Sequence, residues 1–157
     1  MKVIEAKPEH VKDFVMLVER FLDEGIDFYD WGYSLEDAET TYFLWIRNQI
    51  ALFLEHDGEI IGVLAGQIGP HYFHFKTLVF SEFMFYIVPE QRKLNRSLLL
   101  IGKCQDICKR MKVSKFCMGH TMNREPEKFK KFYMRAGFTP LETHYVKDLN
   151  YARSCSQ

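Results

Sequence analysis

No glycine lies between Pro89 and Ile101, although that stretch joins the apolar run "LVFSEFMFYIV" to the helix-like run "SLLLIGKCQDICKRMK". A strand, a short basic loop ("PEQRKLNRS") and a first helical turn make the kind of junction that holds phosphates, and such loops usually rely on glycine. The chain also lacks any apolar run near the roughly 18 residues of a membrane helix. It has no secretory leader pattern and no C-x-x-C pair among Cys104, Cys108, Cys117 and Cys155. Cys104 and Cys108 lie four apart on the apolar side of a helical pattern, which reads as buried free thiols rather than a metal site. These absences lead to the expectation of a cytoplasmic protein in a reducing compartment, with no metal and no membrane partner. No linker, repeat or low-complexity stretch divides the 157 residues, so one domain is expected over 1–150, with 151–157 as a disordered tail.

Formal net charge is zero, but the charge is segregated. Between Phe21 and Ile46 there is no Lys or Arg, only Asp23, Glu24, Asp27, Asp30, Glu36, Asp37 and Glu39. From Pro89 to Arg135 bases outnumber acids thirteen to four. The second half suits an anionic ligand and the first a cationic one; solvated helix faces are the plain alternative. Balanced net charge and the lack of a recognisable motif argue against a nucleic-acid partner. Aromatics reach 15%, with 14 Phe and 8 Tyr, which fits a rigid core, an aromatic-lined pocket, or both.

Hydrophobic period orders the elements. "MKVIEA" reads as a first strand. A helix starts at Lys7-Pro8-Glu9, carries Val11, Phe14, Val15, Val18, Phe21 and Leu22, and stops at Gly25. Ser34, with Asp37 three residues on, opens a second helix to about Asn48. Two strands flank a hairpin turn at His56–Glu59, and Gly69-Pro70 is expected to break the second. "GPHYFHF" reads as a loop before a long strand from about Thr77 to Val88. Ser97 is the expected cap of a third helix burying Leu100, Ile101, Cys104, Ile107, Cys108 and Met111. "SKFCMGH" supplies a fifth strand. Pro126 begins and Gly137 ends a fourth helix with Phe129, Phe132, Tyr133 and Ala136 on its apolar face, and "FTPLETHYVKDLN" a last strand or pair. The fold class is α/β (α+β): one domain, a mixed and mostly antiparallel sheet, a central parallel β-α-β, and helices on both faces.

This order, with three motifs, resembles the GNAT superfamily of N-acetyltransferases over about residues 1–149. "EFMFYIVPEQRKLNRSLLLIGK" is similar to the family's long strand, Pro-x-x-Arg loop and following helix. "NREPEKFKKFYMRAGF" is similar to its late helix, with Phe132, Tyr133, Gly137 and Phe138 as the closing signature. "VIEAKPEHVKDFVMLVERF" is similar to its first strand and helix. The resemblance implies acetyl transfer from acetyl-CoA to a primary amine of a small molecule or protein, by direct attack. The alternative is a catalytically inactive GNAT-fold binding or structural protein with a weakened CoA loop. A homodimer is compatible with either.

The resemblance also implies roles. Arg92, Lys93, Leu94, Asn95, Arg96 and Ser97 would hold the pyrophosphate at a helix N-terminus. The backbone of Tyr86, Ile87 and Val88 would pair with the amide-rich pantetheine arm, which Asn123 could also reach. Backbone N–H groups around Ile87 or Val88 would face the oxyanion. Aligned on Arg92, the family's two small positions become Asn95, which tolerates left-handed backbone, and Ser97. Tyr133 would protonate the leaving thiolate; otherwise it is a core tyrosine. Glu82, the only acid of the long strand, would take the amine's proton if burial raises its pKa; otherwise it is an exposed strand acid. Phe28, Tyr29, Trp31, Tyr33, Tyr72 and Phe73, with Asp27, Asp30 and His71, would line the acceptor site and attract a cationic amine; otherwise they cover the sheet.

Overall fold

The computed structural model describes residues 1–24, 34–48, 50–120 and 125–145. Among these run β1 (Lys2–Glu5), a 3-10 turn at Pro8–His10, α1 (Val11–Asp23), α2 (Leu35–Asn48), β2 (Ile50–His56), β3 (Glu59–His71) and β4 (His74–Ile87). A second 3-10 turn (Pro89–Gln91), α3 (Leu94–Arg110), β5 (Lys115–Cys117) and α4 (Pro126–Arg135) follow. The sheet order is β1-β2-β3-β4-β5. The first four strands pair antiparallel, and β5 joins β4 in parallel.

Local chemistry accounts for the element ends. Ser34 Oγ accepts the Asp37 N–H at 3.2 Å, which caps α2. Pro126 sits in the first turn of α4, and Gly137 follows its end with φ 87°, a conformation costly for other residues. The core is built where β2, β3 and β4 cross α1, α2 and α3. Phe14, Tyr42, Phe53, Leu54, Leu64, Phe80 and Leu100 are fully buried there. Phe14 stacks on Tyr42 at 5.1 Å, and the Tyr42 hydroxyl donates to the Lys7 carbonyl at 2.5 Å, so α1, α2 and the entry to α1 lock together.

Several sequence expectations are corrected. Gly69-Pro70 does not break β3. Past Gly66 that strand has no β2 partner, so the missing N–H of Pro70 removes no bond on that side. The expected loop at 69–75 is instead the far end of the β3–β4 hairpin, with His71 opposite His74. α3 begins three residues before Ser97, with Lys93 extended (φ −137°) at its cap position and no side-chain cap. Met111 lies past the helix end and is exposed. Residues 139–145 form no strand. Gly25, Cys155 and residues 146–157 lie outside the described residues.

One irregularity sets up the site. Ala65 faces Met84, but Gly66 faces Glu82, so Phe83 is an extra residue in β4. Such a bulge shifts which side chains face which side. Tyr86 meets Phe21 of α1 at 5.6 Å, and Phe83 meets Trp45 of α2 at 5.6 Å. Beyond the bulge, Phe80 stacks on Phe116 at 4.4 Å, and Glu82 turns toward the segment after β5. The bulge thus aims Glu82 away from the α1–α2 side.

Candidate active site

β4 and β5 pair only at Val79–Lys115, Phe80–Phe116 and Ser81–Cys117. Beyond Ser81 and Cys117 no further β4–β5 pair forms among the described residues. Glu82 reaches the segment after β5: its Oε2 accepts the Gly119 N–H at 3.0 Å. The Tyr133 hydroxyl, from α4, donates to the Gly119 carbonyl at 2.8 Å. Both sequence-nominated catalytic residues therefore meet on one glycine. Burial raises the Glu82 carboxyl to about 6, against the opposing pull of the Gly119 N–H. The buried Tyr133 phenol is pushed up by desolvation and by the nearby Glu82 carboxylate, so its proton stays on.

Gly119 and His120 escaped the sequence reading. His120 lies over Phe129 at 5.8 Å with nearly parallel rings, and 6.0 Å from Tyr133. A Cβ on Gly119 would touch only Glu82 Oε2 at 3.9 Å, so sterics do not demand glycine there. The "GH" after β5 offered no motif; only the fold brings it to the pair.

The basic loop differs from expectation in its side chains. Asn95 and Ser97 lie in the first turn of right-handed α3, and neither has positive φ. Left-handed tolerance is therefore not required at Asn95, and the absence of glycine does not prevent the turn. Arg96 is 7% exposed, and its guanidinium donates to the carbonyl and side-chain oxygens of Gln91. Arg92 donates from Nε to the Ile87 carbonyl at 2.7 Å and pairs with Glu24 at 2.7 Å, while its guanidinium lies 5.3 Å from the centre of the Tyr86 ring. Tyr86 also donates to Glu24 at 2.5 Å, and burial followed by that bond raises its phenol. Arg92 thus ties the loop to Glu24 at the end of α1 and to β4 while staying partly open to solvent, Arg96 ties it to Gln91, and Lys93 is exposed.

The backbone around the loop divides similarly. The Val88 N–H donates to the Ile61 carbonyl at 3.0 Å, which removes it as an oxyanion donor. Alternation turns the Ile87 N–H to the other edge, beyond the last β4–β5 pair. Arg96 and Ser97 N–H groups both donate to the Lys93 carbonyl, while those of Leu94 and Asn95 have no acceptor among the described residues. They form the positive end of a 17-residue helix.

Beside that helix end opens a groove of about 640 Å³ between α3 and α4. Leu94, Leu98, Phe132 and Ala136 form its apolar wall, and Lys128, Lys131 and Arg135 line it together with Glu125 and Glu127, Lys128 pairing with Glu125 at 2.9 Å. The sequence reading counted these α4 cations in the basic half that suits an anionic ligand but named none of them at the CoA. By contrast, Tyr72 and Phe73 occupy the hairpin tip, 73% and 88% exposed. Eight residues of strand separate His74 from Glu82, roughly 27 Å, so they do not gather with Glu82 and Tyr133 within one chain. Asn123, Phe28, Tyr29, Trp31, Tyr33, Asp27 and Asp30 lie outside the described residues. Among the described residues, no helix is long and apolar enough to cross a membrane. No group of three or more His, Cys, Asp or Glu there could hold a metal ion.

The acetyltransferase (GNAT) family model matches residues 18–138, and the chain belongs to that family. Solved structures agree on the fold. A ribosomal-protein-alanine N-acetyltransferase from Brucella melitensis biovar Abortus 2308 shares 15% identity and a TM-score of 0.70, covering 94% of this chain and 99% of that one. An aminoglycoside antibiotic 6′-N-acetyltransferase from Acinetobacter haemolyticus shares 16% identity and a TM-score of 0.72, over 96% and 100% of the two chains. A predicted acetyltransferase with acetyl-CoA from Clostridium acetobutylicum shares 16% identity and a TM-score of 0.72, over 94% and 96%. No curated protein matches the sequence.

Proposed function

We propose that the protein moves an acetyl group from acetyl-CoA to a primary amine by direct attack. The observation that carries this reading is the meeting of Glu82 and Tyr133 on Gly119 beyond the last β4–β5 pair. A thioester laid between the strands would have an acid with a raised pKa and a protonated phenol beside it. The free β4 edge suits an amide-rich arm, the unpaired Leu94 and Asn95 N–H groups suit a pyrophosphate, and the α3–α4 groove suits a nucleotide with further phosphate.

In this reading Glu82 takes a proton from the ammonium, directly or through one water. The free amine attacks the thioester carbonyl, and the Ile87 N–H stabilises the oxyanion. The C–S bond then breaks, the Tyr133 phenol gives its proton to the thiolate, and the second proton of the attacking nitrogen returns to the phenolate through water, leaving a neutral amide and free thiol. Lys93, Leu94, Asn95 and Ser97 act at the phosphate end through position and the helix terminus. Arg92 and Arg96 act by holding the loop, and Tyr86 by holding Glu24 and Arg92. Phe28, Tyr29, Trp31 and Tyr33 remain our proposal for the acceptor wall, and Asn123 for the pantetheine arm.

A second reading, a GNAT-fold binding protein without catalysis, draws on the internal commitment of Arg92 and Arg96. Acetyl-CoA titration in a thermal melt separates the two. The transfer reading expects a clear rise in Tm and release of free CoA with at least one amine. No Tm shift at millimolar acetyl-CoA favours the second.

A further inference from the structure

The β3–β4 hairpin runs on past the sheet. β2 pairs with β3 no further than Gly66, and β5 meets β4 only from Val79. Residues 69–77 therefore run on as a two-stranded ribbon with no third strand beside it among the described residues, while at its base Ile68 packs on the core and Ser114 N–H donates to the Leu78 carbonyl at 2.9 Å; such a ribbon is marginal by itself in water. Its end is aromatic and open: Tyr72, Phe73 and Phe75 are 73%, 88% and 77% exposed. It is also ordered locally. Phe73 N–H donates to His71 Nδ1 at 3.2 Å, Thr77 bonds His74 at 2.6 Å, and Tyr72 packs edge-on against Phe73 at 5.4 Å. No acid occurs from Gln67 to Phe80, while Lys76 is exposed and forms no ion pair among the described residues.

A second open surface has the opposite character. α2 exposes Leu35, Phe43 and Leu44 alongside Glu36 and Glu39, which also form no ion pair among the described residues. One surface is aromatic with a cation, the other apolar with anions.

We propose that the two surfaces meet between two copies of this chain, each ribbon lying on α2 of the other in a two-fold dimer. Charge supports the match, and so does area. Three aromatics burying ~150 Å² each, on both ribbons and with the helix faces beneath, come to ~1,800 Å², within the range of a specific interface. The partner is thus a second copy. This inference is independent of the transfer reaction, since the ribbon lies far from Glu82.

Sedimentation velocity on the full chain tests it. A dimer is expected at micromolar concentration, and Phe73→Ser with Phe75→Ser should raise its dissociation constant by at least about tenfold. Both side chains are exposed, so the variant and wild type should melt alike at concentrations where both are monomeric, and the wild type should melt higher only where it is dimeric, which separates lost association from lost folding. Lys76→Glu and Glu39→Lys should each weaken the dimer, and together in one chain should restore much of it. A wild-type monomer throughout the range would overturn the proposal. So would a dimer indifferent to the ribbon changes, or a monomer whose ribbon binds some other macromolecule.

Discussion

Glu82 and Tyr133 hold opposite ends of Gly119: the carboxylate takes its N–H at 3.0 Å and the phenol donates to its carbonyl at 2.8 Å. They come from β4 and α4, and one residue couples their positions.

Tyr133→Phe removes the phenolic proton while keeping the ring that packs against Phe138 at 5.3 Å. If the phenol serves the leaving thiolate, CoA release should fall by about 10²-fold or more. The lost hydrogen bond should cost about 1 kcal/mol of stability, since water can reach the Gly119 carbonyl. Steady-state kinetics with a parallel denaturant melt checks both. A stability loss with unchanged turnover would assign Tyr133 to packing alone.

Glu82→Gln keeps an acceptor for Gly119 but removes the charge. The folded carboxyl titrates at about 6, above its ordinary value of 4.5. Below the lower value both folded and unfolded chains are protonated, and the shift has no effect. As pH rises through 6, the folded chain carries the cost of an ionised, partly buried group. Stability of the wild type should therefore drop between pH 4.5 and 6, by about 1 kcal/mol after allowance for solvent access. The Gln variant should lack that step and melt higher than wild type at pH 8. Transfer by the wild type should fall as pH drops below about 6, where the base is protonated. Parallel melting curves at pH 4 and pH 8, with a pH–rate profile, check the sign.

Gly66→Ala tests the bulge. A Cβ there would come within 2.5 Å of both the Phe80 ring and the Ser81 carbonyl, and Phe80 is fully buried. A loss of about 2–3 kcal/mol is expected, with activity falling too because Gly66 faces Glu82 in the register. Urea unfolding measures the first effect.

Lys128→Glu with Lys131→Glu makes the α3–α4 groove, which Glu125 and Glu127 also line, strongly acidic and removes the Lys128–Glu125 pair. Acetyl-CoA affinity should drop about tenfold at low ionic strength and much less in 1 M salt, because exposed charges are screened. Calorimetric titration at two salt concentrations measures the difference. Equal loss at both would point to a packing defect instead.

Most of the scaffold was legible because local chemistry and tertiary packing agree there. The hairpin turn at His56–Glu59, the Ser34 cap, Pro126 and Gly137 all mark element ends that the fold keeps. Period and motif nominated Glu82 and Tyr133, and the fold brings both to Gly119. The misses share a cause: each depends on what lies alongside. Pro70 sits in β3 because its neighbour strand has ended, and Ser97 lies inside a helix that starts without a side-chain cap. Arg96 reads as a phosphate ligand until Gln91 is seen beside it, and Tyr72 as a pocket wall until the ribbon carries it past the sheet. Gly119 and His120 have no local signal, because only the fold brings them beside Glu82 and Tyr133.

The most direct measurement of the central claim is thiol release from acetyl-CoA, with a panel of primary amines, for wild type, Tyr133→Phe and Glu82→Gln. The account predicts amine-dependent release by the wild type and a fall of about 10²-fold or more in each variant, with both folded. Release that neither substitution alters, or a folded wild type that releases no thiol with any amine, would contradict it.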